Sequence, residues 1–294
     1  MRKSNLLMVG LLSMLFGLAA CGGGSSKKGT KPEPDPVASP TCVGKAIPVG
    51  ASCMTFQDGE AIVYEPDGEN KGIALLLHGA PGHPSKVWDI FDGKALADKE
   101  SLVTVAASGS GGTWGWTSLN DGRESSELDV KYLKEFIADL KARYSVTSER
   151  VYILGYSAGG FMGYKLACQI PEELTAIISL AGQFRGSFEN CSTSTPVSIH
   201  HFHSPADSDV PMIGRAVGEI KSVEETLAHW RNINGCDEAF DDESVGGVTP
   251  TSSLTKTRTW KECVKSVRFS DMNNVPHEAD YLGEALYDIY KSSL

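Results

Sequence analysis

Residues 151–168 read VYILGYSAGGFMGYKLAC. An apolar β-rich run, Val151 to Leu154, meets Ser157 between glycines, and the pattern then changes to that of a helix from Phe161 to Ala167. The motif alone decides little. With 31 Gly and 31 Ser in 294 residues, a G-x-S-x-G arises by accident in roughly a third of shuffled chains. Its setting carries the information. A serine at a strand-to-helix junction stands on a tight turn, and a side chain at 155 or 159 would collide with neighbouring backbone there. The turn lifts the hydroxyl clear of the sheet and aims the Ala158 N–H, at a helix N-terminus, where a negative oxygen would form.

Working outward, strands are expected over residues 72–79, 102–108, 150–157, 174–182, 196–204 and 266–272. The first four are near-continuous apolar runs, as in strands covered on both faces. Between them, residues 126–144 repeat apolar side chains at Val130, Leu133, Phe136, Ile137, Leu140 and Tyr144, the spacing of one helix face. Residues 223–235 and 278–294 read as further helices, and residues 54–68 as an antiparallel hairpin at the sheet edge. This alternation predicts a doubly wound, mostly parallel sheet with helices on both faces.

A serine nucleophile on such a sheet needs an acid and a base, in the chain order Ser, acid, His. The segment HSPADSDVP offers Asp207 and Asp209 just past a strand end, and the Val-Pro that follows favours Asp207. Two histidines come later. His229 lies inside an expected helix, whereas His277 sits in a loop between the last strand and the last helix, so His277 is the expected base. A second oxyanion donor is expected from the Ala80 N–H in LLLHGAPG, with His78 a structural residue of that loop. His201 and His203 alternate on a strand with His200 beside them. An HxH pair can bind metal, but no clear third ligand set accompanies it, so a structural reading is preferred and no metal is expected.

The N-terminus has another character. Arg2 and Lys3 precede an apolar stretch, and Leu18-Ala19-Ala20-Cys21 resembles the lipobox of bacterial lipoproteins. That resemblance implies a signal peptide over 1–20 and lipidation of Cys21, with Gly22 favouring an outer-membrane destination. Residues 21–41, rich in Gly, Ser and Pro, read as a flexible linker, and 42–294 as one catalytic domain. The protein is therefore expected to be extracytoplasmic and membrane-anchored. Beyond residue 41 the chain carries 22 Lys/Arg against 35 Asp/Glu, a net charge of −13, which argues against a nucleic-acid partner. Six cysteines remain after Cys21, an even number that fits an oxidising space. Their spacing suggests sequential bridges, Cys42 with Cys53, Cys168 with Cys191 and Cys236 with Cys263.

Taken together, LLLHG, the long segment LDVKYLKEFIADLKARYSVTSERVYILGYSAGGFMGYKLAC, HSPADSDVP and the NGC…WKEC pair resemble the secreted polyhydroxybutyrate depolymerase and feruloyl/acetylxylan esterase group of α/β-hydrolases. The resemblance spans about residues 72 to 277. It implies an α/β-hydrolase fold and ester hydrolysis by Ser157, Asp207 and His277 without a cofactor. The substrate would be a polyhydroxyalkanoate oligomer or a feruloyl or acetyl polysaccharide ester. Departures are visible: Pro276-His277-Glu278 lacks the Trp and Pro found near the base in that group, and Ser204 replaces the Gly of H-G-x-x-D. Trp114 and Trp116 stand where the group carries a tryptophan near the substrate, so each either lines a substrate pocket or packs its loop. Two rival functions share parts of this pattern, a prolyl-oligopeptidase-like peptidase and a noncatalytic surface-binding lipoprotein. The first lacks a propeller-sized N-terminal domain, and the second leaves an ordered Ser, Asp and His without purpose.

Overall fold

A computed structural model describes residues 40–109, 112, 115–119 and 127–294. Its centre is a run of six parallel strands in the order β6 (Leu102–Ala107), β5 (Gly72–Leu77), β7 (Val151–Tyr156), β8 (Ala176–Leu180), β9 (Ser198–His203) and β12 (Val267–Asp271). Antiparallel strands extend both sides, β4 (Gly59–Tyr64) and β3 (Ser52–Phe56) beyond β6, β11 (Thr255–Trp260) and β10 (Phe240–Val245) beyond β12. A small pair, β1 (Thr41–Cys42) with β2 (Lys45–Ala46), lies near the β3 edge, where Cys42 is bonded to Cys53. The expected α/β-hydrolase architecture is therefore present, and the edge hairpin expected at 54–68 spans 52–64.

Burial on both faces explains the apolar runs. Ile73, Leu75 and Leu77 of β5 face one core, shared with α3 (Leu128–Tyr144), α4 (Ala158–Gln169) and α5 (Val223–Ile233). Ala74 and Leu76 face the other, shared with α1 (Pro84–Ile90), α2 (Gly93–Glu100) and α6 (Gly283–Tyr290). Successive side chains point to opposite faces of a strand, so a strand covered twice is largely apolar; Thr104, Ser179 and the three histidines of β9 are buried polar exceptions. Helix α3 buries Val130, Leu133, Phe136, Ile137 and Leu140 of the predicted stripe, with Tyr144 half-buried at its end. Helix α5 starts at a capping box in which Ser222 and Glu225 satisfy each other's backbone N–H groups.

Besides the two-residue strands β1 and β2, four elements escaped the sequence reading. The short helices α1 and α2 offer too few turns for a period to emerge. β10 and β11, FDDESV and TKTRTW, lie on a solvated sheet margin, so their polar composition hides them. The three disulfides join Cys42 to Cys53, Cys168 to Cys191 and Cys236 to Cys263. The last closes the connection that carries β10 and β11. Cys21 and the 1–20 segment lie outside the described residues.

Strand order reverses between β5 and β7, since the chain runs from β5 out to β6 and then back to β7 on the other side. In open parallel sheets that reversal opens a crevice at the carboxyl ends of the strands. His78 and Ala80 follow β5, Ser157 follows β7, Asp207 follows β9 and His277 follows β12, so all lie at that end of the sheet.

Candidate active site

Ser157 occupies a backbone conformation of φ 54° and ψ −116° between β7 and α4. A non-glycine residue rarely adopts positive φ, and strain of this kind persists only where the surroundings enforce it. Here they do. The Ser157 N–H donates to the Leu180 carbonyl at 2.8 Å, tying the turn to β8. Glycine is required around it: a Cβ at Gly155 would lie 2.2 Å from the Gly159 carbonyl oxygen, and one at Gly159 would lie 1.9 Å from that of Leu77. Gly182 presses equally close from β8's far end, where a Cβ would stand 2.1 Å from the Ser157 carbonyl oxygen.

The structure brings the predicted acid, base and serine into contact. His277 Nε2 lies 2.9 Å from Ser157 Oγ, and His277 Nδ1 lies 2.7 Å from Asp207 Oδ2. A carboxylate only accepts, so the proton of a neutral His277 sits on Nδ1 and leaves Nε2 to accept from the serine hydroxyl. Asp207 is buried. Burial pushes its carboxyl up, but hydrogen bonds from His203, His277 and the Val210 N–H outweigh that and hold it well below the ordinary carboxylate range. Its Oδ1 accepts from the N–H groups of Val210 at 2.8 Å and Asp209 at 3.1 Å. Asp209 itself is exposed, and its part at this turn is that backbone donation.

The loop that bears His277 is held by residues the sequence reading passed over. Tyr156, immediately before the serine, stacks on the His277 ring at 5.4 Å between centroids. Its hydroxyl donates to the His277 carbonyl at 2.9 Å and lies 3.1 Å from Glu278 Oε1. Tyr281 donates to the same carbonyl at 3.3 Å. Glu278 in turn pairs with Lys86 at the surface. Ser204, noted only as a replacement for glycine, accepts from the Val275 N–H at 2.9 Å and the Ala206 N–H at 3.2 Å, joining the acid loop to the base loop. Nothing local in the sequence signals bonds across 71 or 121 positions.

On the other side of the serine, Ala158 is the first residue of α4, where helix geometry leaves a backbone N–H without an intrahelical partner. Ala80 is exposed in the loop after β5. His78 braces that loop. The Gly109 N–H points at its Nε2 over 3.2 Å, so Nε2 accepts and Nδ1 donates to the Gly79 carbonyl at 2.6 Å. Burial lowers the His78 pKa, consistent with a neutral ring.

Trp116 is buried, and its Nε1 donates to the His78 carbonyl at 2.8 Å. Its ring lies against that of His78, 5.2 Å between centroids. Trp114 lies outside the described residues. His201 Nε2 and His203 Nδ1 face each other at 3.1 Å, so the nitrogens of the HxH pair are engaged in hydrogen bonds rather than turned toward a common metal position.

A serine on a strained strand–helix turn, at the reversal point of a parallel sheet, with acid and base arriving from later strand ends, defines an α/β-hydrolase. The chain belongs to the phospholipase/carboxylesterase family, whose sequence model matches residues 59–219. It is a carboxylic ester hydrolase. It is 25% identical to the bifunctional acetylxylan esterase/xylanase XynS20E of Neocallimastix patriciarum, over 74% of this chain and 31% of that protein. It is also 25% identical to feruloyl esterase B of Neurospora crassa, over 46% of this chain and 48% of that one. The chain thus spans about a third to a half of these relatives' length. Among solved structures, the acetyl xylan esterase from Aspergillus awamori superposes with a TM-score of 0.58 at 14% identity, covering 82% of this chain and 97% of that one.

Proposed function

We propose that the protein is an extracytoplasmic serine esterase acting through an acyl-enzyme on Ser157. The observation that carries this reading is the unbroken line of contacts from Ser157 Oγ through His277 to Asp207, at 2.9 and 2.7 Å. His277 Nε2 takes the hydroxyl proton as Ser157 Oγ attacks the ester carbonyl. Asp207 holds the ring and stabilises the imidazolium that forms. The Ala80 and Ala158 N–H groups receive the carbonyl oxygen as it becomes negative. The imidazolium then returns its proton to the departing alkoxide, the alcohol leaves, and water activated by the same ring releases the acid. Replacing Ser157 by Ala should cut turnover of a short p-nitrophenyl ester by about 10⁴-fold or more while leaving the fold intact. Turnover within tenfold of wild type would sink the assignment.

For substrate, acyl esters of plant polysaccharide are favoured over polyhydroxyalkanoate oligomers, because the matched relatives are named for acetylxylan and feruloyl ester hydrolysis. For location, the three disulfides fit an oxidising space. Among the described residues no helix is long and apolar enough to cross a membrane, and attachment is assigned to a lipid on Cys21. Exchanging Cys21 for Ser should move the protein from the membrane fraction to the soluble one, and continued membrane retention would refute that anchor.

A further inference from the structure

The triad contacts do not end at Asp207. Its Oδ2, which receives His277, also lies 3.3 Å from Nε2 of His203, and that nitrogen is 2.7 Å from the Val210 carbonyl oxygen. A carbonyl oxygen and a carboxylate both only accept, so Nε2 of His203 carries a proton and shares it between them. The ring is fully buried at the end of β9, next to the chain that turns to present Asp207. With its proton placed on Nε2, the ring turns Nδ1 toward His201 as an acceptor. Facing it at 3.1 Å is Nε2 of His201, which must then donate. That leaves His201 Nδ1 to accept from the Tyr164 hydroxyl at 3.0 Å, on helix α4 that starts at the nucleophile. Burial keeps the Tyr164 phenol protonated and lowers the His201 pKa well below its ordinary value, so both groups stay neutral as this direction requires.

The result is one line of hydrogen bonds running Tyr164, His201, His203, Asp207, His277, Ser157, with each proton's side determined by its neighbours. We propose that His203 is a positioning residue for ester hydrolysis: its Nε2–H holds Asp207 Oδ2 and the Val210 carbonyl together, which orients the carboxylate toward His277, while His201 and Tyr164 keep the His203 ring in its donating form. This rests on the catalytic roles given above for Ser157, Asp207 and His277. Asp207 then has its Oδ1 tied to the Val210 and Asp209 N–H groups and its Oδ2 tied to two imidazoles. A carboxylate held at both oxygens cannot rotate away from the base. His203 never touches substrate; it acts only through Asp207.

The test compares His203→Gln with His203→Asn in the full-length protein. A glutamine amide nitrogen reaches the place of the imidazole Nε2, whereas the asparagine amide ends one carbon short. The glutamine variant should keep kcat within about threefold of wild type, and the asparagine variant should lose about 10- to 100-fold in kcat with KM nearly unchanged, since a misplaced catalytic group costs on that scale. Proton NMR should also show the low-field His277 Nδ1–H resonance retained with glutamine and broadened or shifted with asparagine. Equal loss in both variants, or no loss in either while both remain folded, would overturn the positioning role. A Ser157→Ala control separates the two ideas. Turnover surviving in that control breaks the triad reading, whereas its abolition together with a fully active His203→Asn enzyme breaks only the role of His203.

Discussion

Ser157 and His277 meet at 2.9 Å, yet they are held there by different means. The serine is placed by backbone. Its N–H is tied to β8, and Gly155, Gly159 and Gly182 let carbonyl groups approach to distances that no side chain would allow. The histidine is placed by side chains. Tyr156 and Tyr281 grip its carbonyl, Tyr156 lies against its ring, and Ser204 anchors the loop two residues upstream. A position set by excluded volume fails abruptly when atoms are added. One set by hydrogen bonds loosens by degrees, so the two halves of this site should respond differently to substitution.

The largest effect should come from Gly159→Ala. The added Cβ would stand 1.9 Å from the Leu77 carbonyl oxygen. Neither strand nor helix can retreat without breaking the sheet, so a loss of about 4 kcal/mol or more is expected. Thermal unfolding, or absence from the soluble fraction, reads it out. A variant with near-wild-type melting would show that the elbow is softer than its geometry implies.

Next comes Tyr156→Phe, which keeps the ring against His277 and deletes the hydroxyl that donates to its carbonyl. Stability should fall by only about 1 kcal/mol, the net worth of one hydrogen bond. Turnover should fall about tenfold at unchanged KM, because the base swings out of line with the serine. Steady-state kinetics alongside a melting curve would check both halves. A large loss of stability with unchanged kcat would place Tyr156 with the structural core instead of the base loop.

The smallest effect belongs to Glu278→Gln. Its partner Lys86 is 42% exposed and Glu278 itself 64%, so water screens the pair and its loss costs about 0–1 kcal/mol. Activity should remain within about twofold, since Tyr156 still reaches the His277 carbonyl. Should this variant match Tyr156→Phe in its loss of kcat, the base loop would be held chiefly by charge, and the contrast drawn here would need revision.

Much of the molecule was legible from residue order. Apolar runs exposed the doubly covered strands because burial on two faces favours apolar side chains at successive positions. The elbow was legible because glycine at 155 and 159 has a steric cause that any sequence must respect. Asp207 and His277 followed from chain order and loop placement, and the structure sets both at hydrogen-bonding distance in one line with Ser157. What stayed hidden depends on distant pairing. β10 and β11 look like loop because one is solvated and the other half-covered. The clamp of Tyr156 on His277 joins residues 121 apart, and neither type announces it locally. The bond from Trp116 to the His78 carbonyl likewise joins residues 38 apart.

The two margins of the sheet differ as well. β10 carries Asp241, Asp242 and Glu243 in succession along an exposed outer strand. An outer strand offers unpaired N–H and C=O groups to any passing chain, and here its carboxylates are tied inward, Asp242 to Lys256 and Arg258 and Asp241 to Lys261. At the opposite margin, β3 is bonded through Cys53 to Cys42 of the small β1–β2 pair. Each end of the sheet thus has its own tie to a neighbour, one ionic and screened by salt, the other covalent and lost on reduction. High ionic strength should therefore loosen the β10 margin and a reducing agent the β3 margin, from opposite sides of the same molecule.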